Sequence, residues 1–266
     1  MPRPRNSALA HSLTLALALV LAGCDRAPAI ADAPASRPSA AAPATRLGLM
    51  SSLPLYWPPG AGIDDIAKGT APPPWQRTAL ETAYALEPLD TLAPVPGLSP
   101  DAPATDPLAG LTRLAVIQPR GLSPADNVAL DDWVRSGGHL LLVLDPALTG
   151  EYDAPLGDPR RPVDSALIPP VVARWGLAVS FDEAQAGDVT PAPFGPLSLP
   201  LALAGRITIT DPAAGACALE AGGAAARCTV GKGQVTLIAD AAIFEHPELA
   251  GEGGAALRAV MAEALR

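Results

Sequence analysis

Short apolar runs without polar interruption alternate along this chain with stretches whose apolar residues recur every three or four positions. The uninterrupted runs are RLGLMS from Arg46, RLAVIQ from Arg113, HLLLVLD from His139, LAVSF from Leu177, RITIT from Arg206 and QVTLIAD from Gln234. Runs of this length that lack alternation predict strands covered on both faces. Helical spacing is clearest over Trp75 to Ala85, Pro124 to Ser136, Val163 to Trp175 and Gly254 to Leu265. Strand and helix therefore alternate, which predicts a three-layer α/β domain with a mainly parallel sheet, helices on both sides and right-handed crossovers.

The stretch SPADNVALDDWVRSGGHLLLVLDP, from Ser123 to Pro146, is the most legible. Ser123 is placed to cap a helix, Pro124 takes its first position, and Asp126 completes a capping-box pattern. Leu130, Trp133 and Val134 share one helical face, while Asn127, Asp131, Asp132 and Arg135 share the wet one, with Asp131 and Arg135 at ion-pair spacing. Gly137 and Gly138 stop the helix. Asp145 then ends the buried strand and sets a carboxylate at the C-terminal edge of the sheet, where open α/β folds bind ligands.

Asp211 and Asp240 also end predicted strands, so turn and cap duties account for all three aspartates. Asp145 and Asp240, with Ser51 and Ser52 after the first strand, are the candidate lining of a polar crevice. The stretch from Asp182 to Gly205 is rich in proline and predicts an irregular excursion. Cys217 and Cys228 flank ALEAGGAAAR, whose central Gly222 and Gly223 suit a tight turn, so a β-hairpin with a disulfide between its strands is expected in an oxidising compartment.

The N-terminus follows other rules. Arg3 and Arg5 precede the apolar run LTLALALVLAG, too short to span a bilayer as a helix and ordered like a secretory signal. The run ends in Leu21-Ala22-Gly23-Cys24, which resembles the bacterial lipobox. That resemblance implies a signal peptide over residues 1–23 and lipid attachment at Cys24, with the membrane as a partner through the anchor. Asp25 resembles the enterobacterial signal for inner-membrane retention, so the periplasmic face of the inner membrane is the expected location. Residues 24–45 form a lipidated cysteine and Pro/Ala-rich tether with almost no large apolar side chain, and residues 46–266 form the α/β domain.

Composition narrows the chemistry. A formal charge of −9, with no basic cluster beyond the N-terminus, argues against nucleic acid as a partner. His139 and His246 stand apart from any metal-ligand spacing, so neither a metal nor another cofactor is expected. The segment GKGQV from Gly231 precedes a strand, whereas a phosphate loop follows one. Phe244-Glu245-His246-Pro247-Glu248 resembles the histidine-proline-glutamate segment of class I glutamine amidotransferases, and Cys217 lies in a partial match to their nucleophile elbow. Leu219 replaces the last glycine of that elbow, and a disulfide would consume the thiol. No catalytic residue is therefore assigned.

RLAVIQPRGLSPADNVALDDWVRSGGHLLLVLDP and VGKGQVTLIADAAIF from Val230 resemble segments of the gliding-motility-type (GldG-like) auxiliary proteins of ABC transport systems. The resemblance implies a class I glutamine amidotransferase-like or flavodoxin-like scaffold without its catalytic residues. It also implies ABC permease or ATPase subunits as partners. The expectation is thus a non-catalytic lipoprotein, accessory or ligand-binding, with a hydrolase or amidotransferase of the related fold, or an envelope scaffold, as alternatives.

Overall fold

The computed structural model describes residues 44–99 and 101–266, so the expected signal peptide, Cys24, Asp25 and all but the end of the tether lie outside the described residues. The chain opens with β1 (Thr45–Ser51), α1 (Ile63–Lys68), α2 (Trp75–Leu80) and β2 (Tyr84–Pro88). The motif read above follows as β3 (Arg113–Ile117), α3 (Pro124–Ser136) and β4 (His139–Val143). After α4 (Pro170–Arg174) come β5 (Leu177–Ser180), β6 (Thr190–Phe194), β7 (Leu197–Leu201) and β8 (Arg206–Ile209). The chain closes with β9 (Ala216–Glu220), β10 (Ala225–Val230), β11 (Gly233–Ile238), α5 (Ala242–Glu245) and α6 (Ala255–Ala264).

The main sheet runs β2-β1-β3-β4-β11-β10-β9. Its neighbours are parallel from β2 to β11, and β10 and β9 add an antiparallel edge. Successive side chains point to opposite faces, and on the central strands both sets are buried. Leu47, Leu49, Ala115, Ile117, Leu141 and Val143 pack with α2 and α6, whereas Leu114, Val116, Leu140 and Leu142 pack with α3 and α4. These two apolar interfaces are the three layers expected. No described helix is long and apolar enough to cross a membrane.

The α3 motif forms as read. Ser123 and Asp126 make the reciprocal capping box, and Arg135 Nε donates to Asp131 at 2.9 Å. One detail differs: Asp131 is buried, because Arg174 and the Trp175 indole N–H of the α4 segment also donate to it, at 2.6 and 2.8 Å. The two segments that carry the family resemblance are neighbours in space. Gly233 lies so close to the carbonyls of Val134 and Gly138 that a Cβ there would collide with them, and Lys232 and Gln234 donate to Arg135 and Gly138 carbonyls at 3.0 Å. The glycines of GKGQV therefore fit β11 against the end of α3.

Three expectations are corrected. The helix from Trp75 stops at Leu80, and Tyr84–Pro88 is an edge strand in parallel register with β1. The helix expected from Val163 begins only at Pro170, because Pro169 and Pro170 confine it to a single short turn segment. The Asp182–Gly205 stretch is not irregular throughout, since β6 and β7 pair as an antiparallel hairpin. Its prolines are tolerated because a two-stranded ribbon leaves half of its N–H groups outside the ladder. Cys217 and Cys228 face each other across β9 and β10 and are disulfide-bonded.

Candidate functional site

The carboxyl ends of the parallel strands gather the chain's unusual polar groups. Asp145 and Asp240 are both interior, at 0% and 2% exposure. Each first makes the local turn expected of it: Asp145 Oδ1 accepts from Ala147 N–H, and Asp240 Oδ1 from Ala242 N–H, both at 2.8 Å. Asp211 does the same with Ala213 at 2.9 Å. The remaining oxygens reach further, Asp145 Oδ2 to Ala241 N–H at 2.7 Å and Asp240 Oδ2 to Ala202 N–H at 2.6 Å. These aspartates therefore fasten the β4, β7 and β11 ends together.

The crevice expected from Ser51, Ser52, Asp145 and Asp240 is divided. At the β1/β3 switch point the opening is filled by Gln118, a buried residue with φ of 46°. Its amide donates to the carbonyls of Asp145 and Val163 at 2.9 and 2.8 Å and accepts the Asp145 N–H at 2.8 Å. Ser52 closes the same gap, donating to the Gln118 carbonyl and accepting from Val163 N–H. Ser51 and Ser52 line an open cavity on the β1/β2 side, and Asp145 and Asp240 do not line it. That is a correction to the four-residue crevice. Burial, which the sequence does not display at a strand end, is its cause.

Burial, and then the Glu245 charge, push Asp145 up to about 7, while burial, and then the Asp145 and Glu245 charges, push Asp240 up to about 8. Glu245, on α5, is held by four donors. Its Oε1 accepts from Gly150 N–H at 3.0 Å and the Tyr152 hydroxyl at 2.6 Å, and its Oε2 from Thr149 N–H at 3.0 Å and the Thr149 hydroxyl at 3.3 Å. Burial, then the bond to Glu245, raises the Tyr152 phenol far above its ordinary value. Sequence reading missed Gln118, Thr149 and Tyr152 and the loop-holding role of Glu245, because their partners are distant along the chain.

His246 Nε2 lies 2.9 Å from Thr149 Oγ1, and His246 Nδ1 lies 3.4 Å from Glu248. This hydroxyl–imidazole–carboxylate line is not the one suggested by the amidotransferase resemblance. Cys217 is consumed by its disulfide and packs on the α3/α4 side of the sheet. Among the described residues, no group of three His, Cys, Asp or Glu side chains is arranged to hold a metal ion.

Two of the openings at this edge adjoin each other. One, of about 290 Å³, is lined by Ser51, Ser52, Tyr56, Trp57, Asp90 and Arg160 among others. The second, of about 260 Å³, shares Pro54 and Pro59 with it and reaches Trp75, Tyr152 and Glu245. Arg77 lies 4.1 Å above the Tyr56 ring, and Tyr56 meets Trp57 edge-on at 4.8 Å, so the wall is a braced aromatic pair.

Fold and openings define an α/β domain with a mainly parallel sheet and ligand-sized hollows at the carboxyl ends of its strands. The chain belongs to the DUF4350 family, described as a domain of unknown function, whose model matches residues 67–259. No curated protein matches it. Among solved structures it is similar to the exo-β-1,4-mannosidase Op5Man5 from Opitutaceae bacterium strain TAV5, at 15% identity and a TM-score of 0.45, over 84% of this chain and 36% of that one. It is also similar to the cold-adapted β-galactosidase from Rahnella sp. R3, at 14% identity and 0.44, over 84% and 32%. The cytoplasmic protein STM1381 from Salmonella typhimurium LT2 is similar at 11% identity and 0.42, over 84% of this chain and all of that one. The chain spans about a third of the length of the two glycosidases. Likeness this distant carries no argument about activity.

Proposed function

We propose that this chain is a non-catalytic lipoprotein, anchored through Cys24 at the periplasmic face of the inner membrane, that serves an ABC-type transport system as an accessory or ligand-binding component. One observation carries the non-catalytic part. All six side-chain oxygens of Asp145, Asp240 and Glu245 accept hydrogen bonds from the domain's own donors, so the carboxylates buried at the strand ends are already used to hold loops. A general acid or base needs a free face toward a substrate. The transport part is supported by the resemblance of Arg113–Pro146 and Val230–Phe244 to GldG-like auxiliary proteins, whose amidotransferase-like or flavodoxin-like scaffold lacks catalytic residues.

The test uses the full chain in its own cells, with a photo-crosslinking residue at position 57, 90 or 160. The expected product joins the chain to an ABC permease or ATPase subunit. Absence of any transporter subunit at all three positions contradicts the transport role. Cys24→Ala should abolish labelling by radioactive palmitate, and labelling that persists contradicts the anchor.

The line Thr149–His246–Glu248 favours a second reading, a hydrolase with a threonine nucleophile. It is the weaker one. Glu245 competes for the Thr149 hydroxyl and occupies the Thr149 and Gly150 N–H groups that would otherwise stabilise an oxyanion. Turnover of ester, amide or glutamine substrates that disappears in both Thr149→Ala and His246→Ala would establish the hydrolase instead.

A further inference from the structure

We infer that the cavity of about 290 Å³ over the ends of β1 and β2 is a binding site for a neutral carbohydrate, one or two sugar rings in size. This deepens the ligand-binding reading above and rests on it. The site is set by four segments: the β1 end (Ser51, Ser52), the following loop (Tyr56 to Ala61), the β2 end (Pro88 to Asp90) and Arg160.

Its apolar wall is rigid. Trp57 is 42% exposed although large aromatic side chains are usually covered, and its ring is held edge-on by Tyr56. Arg77 braces both rings from outside, 4.1 Å from Tyr56 and 5.5 Å from Trp57, and is itself fixed by Glu81 at 2.7 Å. An exposed, preorganised indole offers a flat face to a ring that carries C–H groups, with little ordering cost on binding.

Charge decides what that ring is. An anion meets the exposed Asp90 carboxylate, and the Arg160 guanidinium is already paired with Asp158 at 2.7 Å. A cation meets the Arg160 guanidinium in the same lining, so the cavity matches neither sign of charge. A neutral ligand avoids both costs, provided that it brings donors as well as acceptors. Ser51 Oγ accepts from Leu53 N–H and keeps its own proton to give, whereas Asp90 can only accept. An unbroken run of prolines would offer carbonyl acceptors alone and would leave Asp90 without a donor. Neighbouring sugar hydroxyls supply both roles.

The full chain in a non-glycosidic detergent is titrated calorimetrically with cellobiose, maltose, mannobiose and chitobiose. At least one should bind with a dissociation constant below about 10 mM, and glucosamine and glucose 6-phosphate should bind at least about tenfold more weakly. Trp57→Ala should weaken binding at least about tenfold, and Asp90→Asn severalfold, with melting curves showing that each variant folds. No heat from any of the four, equal binding of a charged sugar, or unchanged affinity in Trp57→Ala overturns the inference. So does binding of a synthetic peptide of residues 26–45 in place of the sugars. Sugar binding accompanied by cleavage keeps the site and overturns the non-catalytic reading. Transporter crosslinks without sugar binding overturn this inference alone.

Discussion

The flank of α3 and the carboxyl edge of the sheet each bury two aspartates, and the two pairs ionise in opposite directions. Burial pushes Asp126 up, but hydrogen bonds from Ser123, Thr91, Leu92 and Ala93 outweigh it and hold the group at about 2. Burial likewise opposes Asp131, yet Arg135, Trp175 and Arg174 hold it below the ordinary carboxylate range. Asp145 and Asp240 each accept two backbone N–H bonds but face each other and Glu245 with no cation at hand, and they rise to about 7 and about 8. Burial alone therefore does not fix the protonation state of an aspartate. Its neighbours do.

The largest break in this contrast is Asp145→Ala, which strands the N–H groups of Ala147 and Ala241. Urea unfolding at pH 5 should show a loss of about 4 kcal/mol, at roughly 2 per orphaned donor. The loss should shrink toward pH 8, where the wild-type carboxylate is itself a burden. The sign follows from the raised values: this pair's contribution is full below the ordinary carboxylate pKa and falls as pH rises through 7 and 8. The α3 pair behaves in reverse, present above the ordinary value and lost as pH falls toward 2. Melting temperature should therefore peak near the ordinary carboxylate value, at about pH 4, and fall on either side of it.

Asp131→Ala comes next, at about 3 kcal/mol at neutral pH, because the buried Trp175 N–H and two guanidinium groups lose their acceptor. Its cost should diminish in acid, where Asp145→Ala keeps its own. Asp126→Ala should cost about 2 kcal/mol by removing the acceptor of the Ser123 N–H in the capping box and releasing residues 91–93. At the small end, Arg46→Ala breaks an exposed pair with Glu87 and should change stability by less than about 0.5 kcal/mol. A larger change there would show that surface charge rather than the buried partners governs the pH profile.

The α3 side was legible in the sequence because its signals are local. Ser123, Pro124, Asp126 and the Gly137-Gly138 pair all act within one turn of the element they bound, and HLLLVL declares a strand covered on both faces. The disulfide was legible for a similar reason, its cysteines flanking one tight turn. The β2 strand was not, because YALEP contains no β-branched residue and continues a helical spacing until the edge of the sheet captures it. The turn duties of Asp145, Asp211 and Asp240 could be read, being bonds to the second residue onward. Their burial could not. Gln118 acts across 27 and 45 positions and Glu245 across more than 90, and no pattern along the chain marks such partners. The cavity behind Trp57 was hidden likewise, since it joins four separate segments.

The contrast is tested most directly by carboxyl-carbon NMR titration of the full chain with labelled aspartate, signals being assigned through Asp126→Asn, Asp145→Asn and Asp240→Asn. Asp145 and Asp240 should titrate near 7 and 8 as a coupled pair, with Asp126 still ionised down to about pH 2. Titration of all three together at about 4, the ordinary carboxylate value, would contradict it.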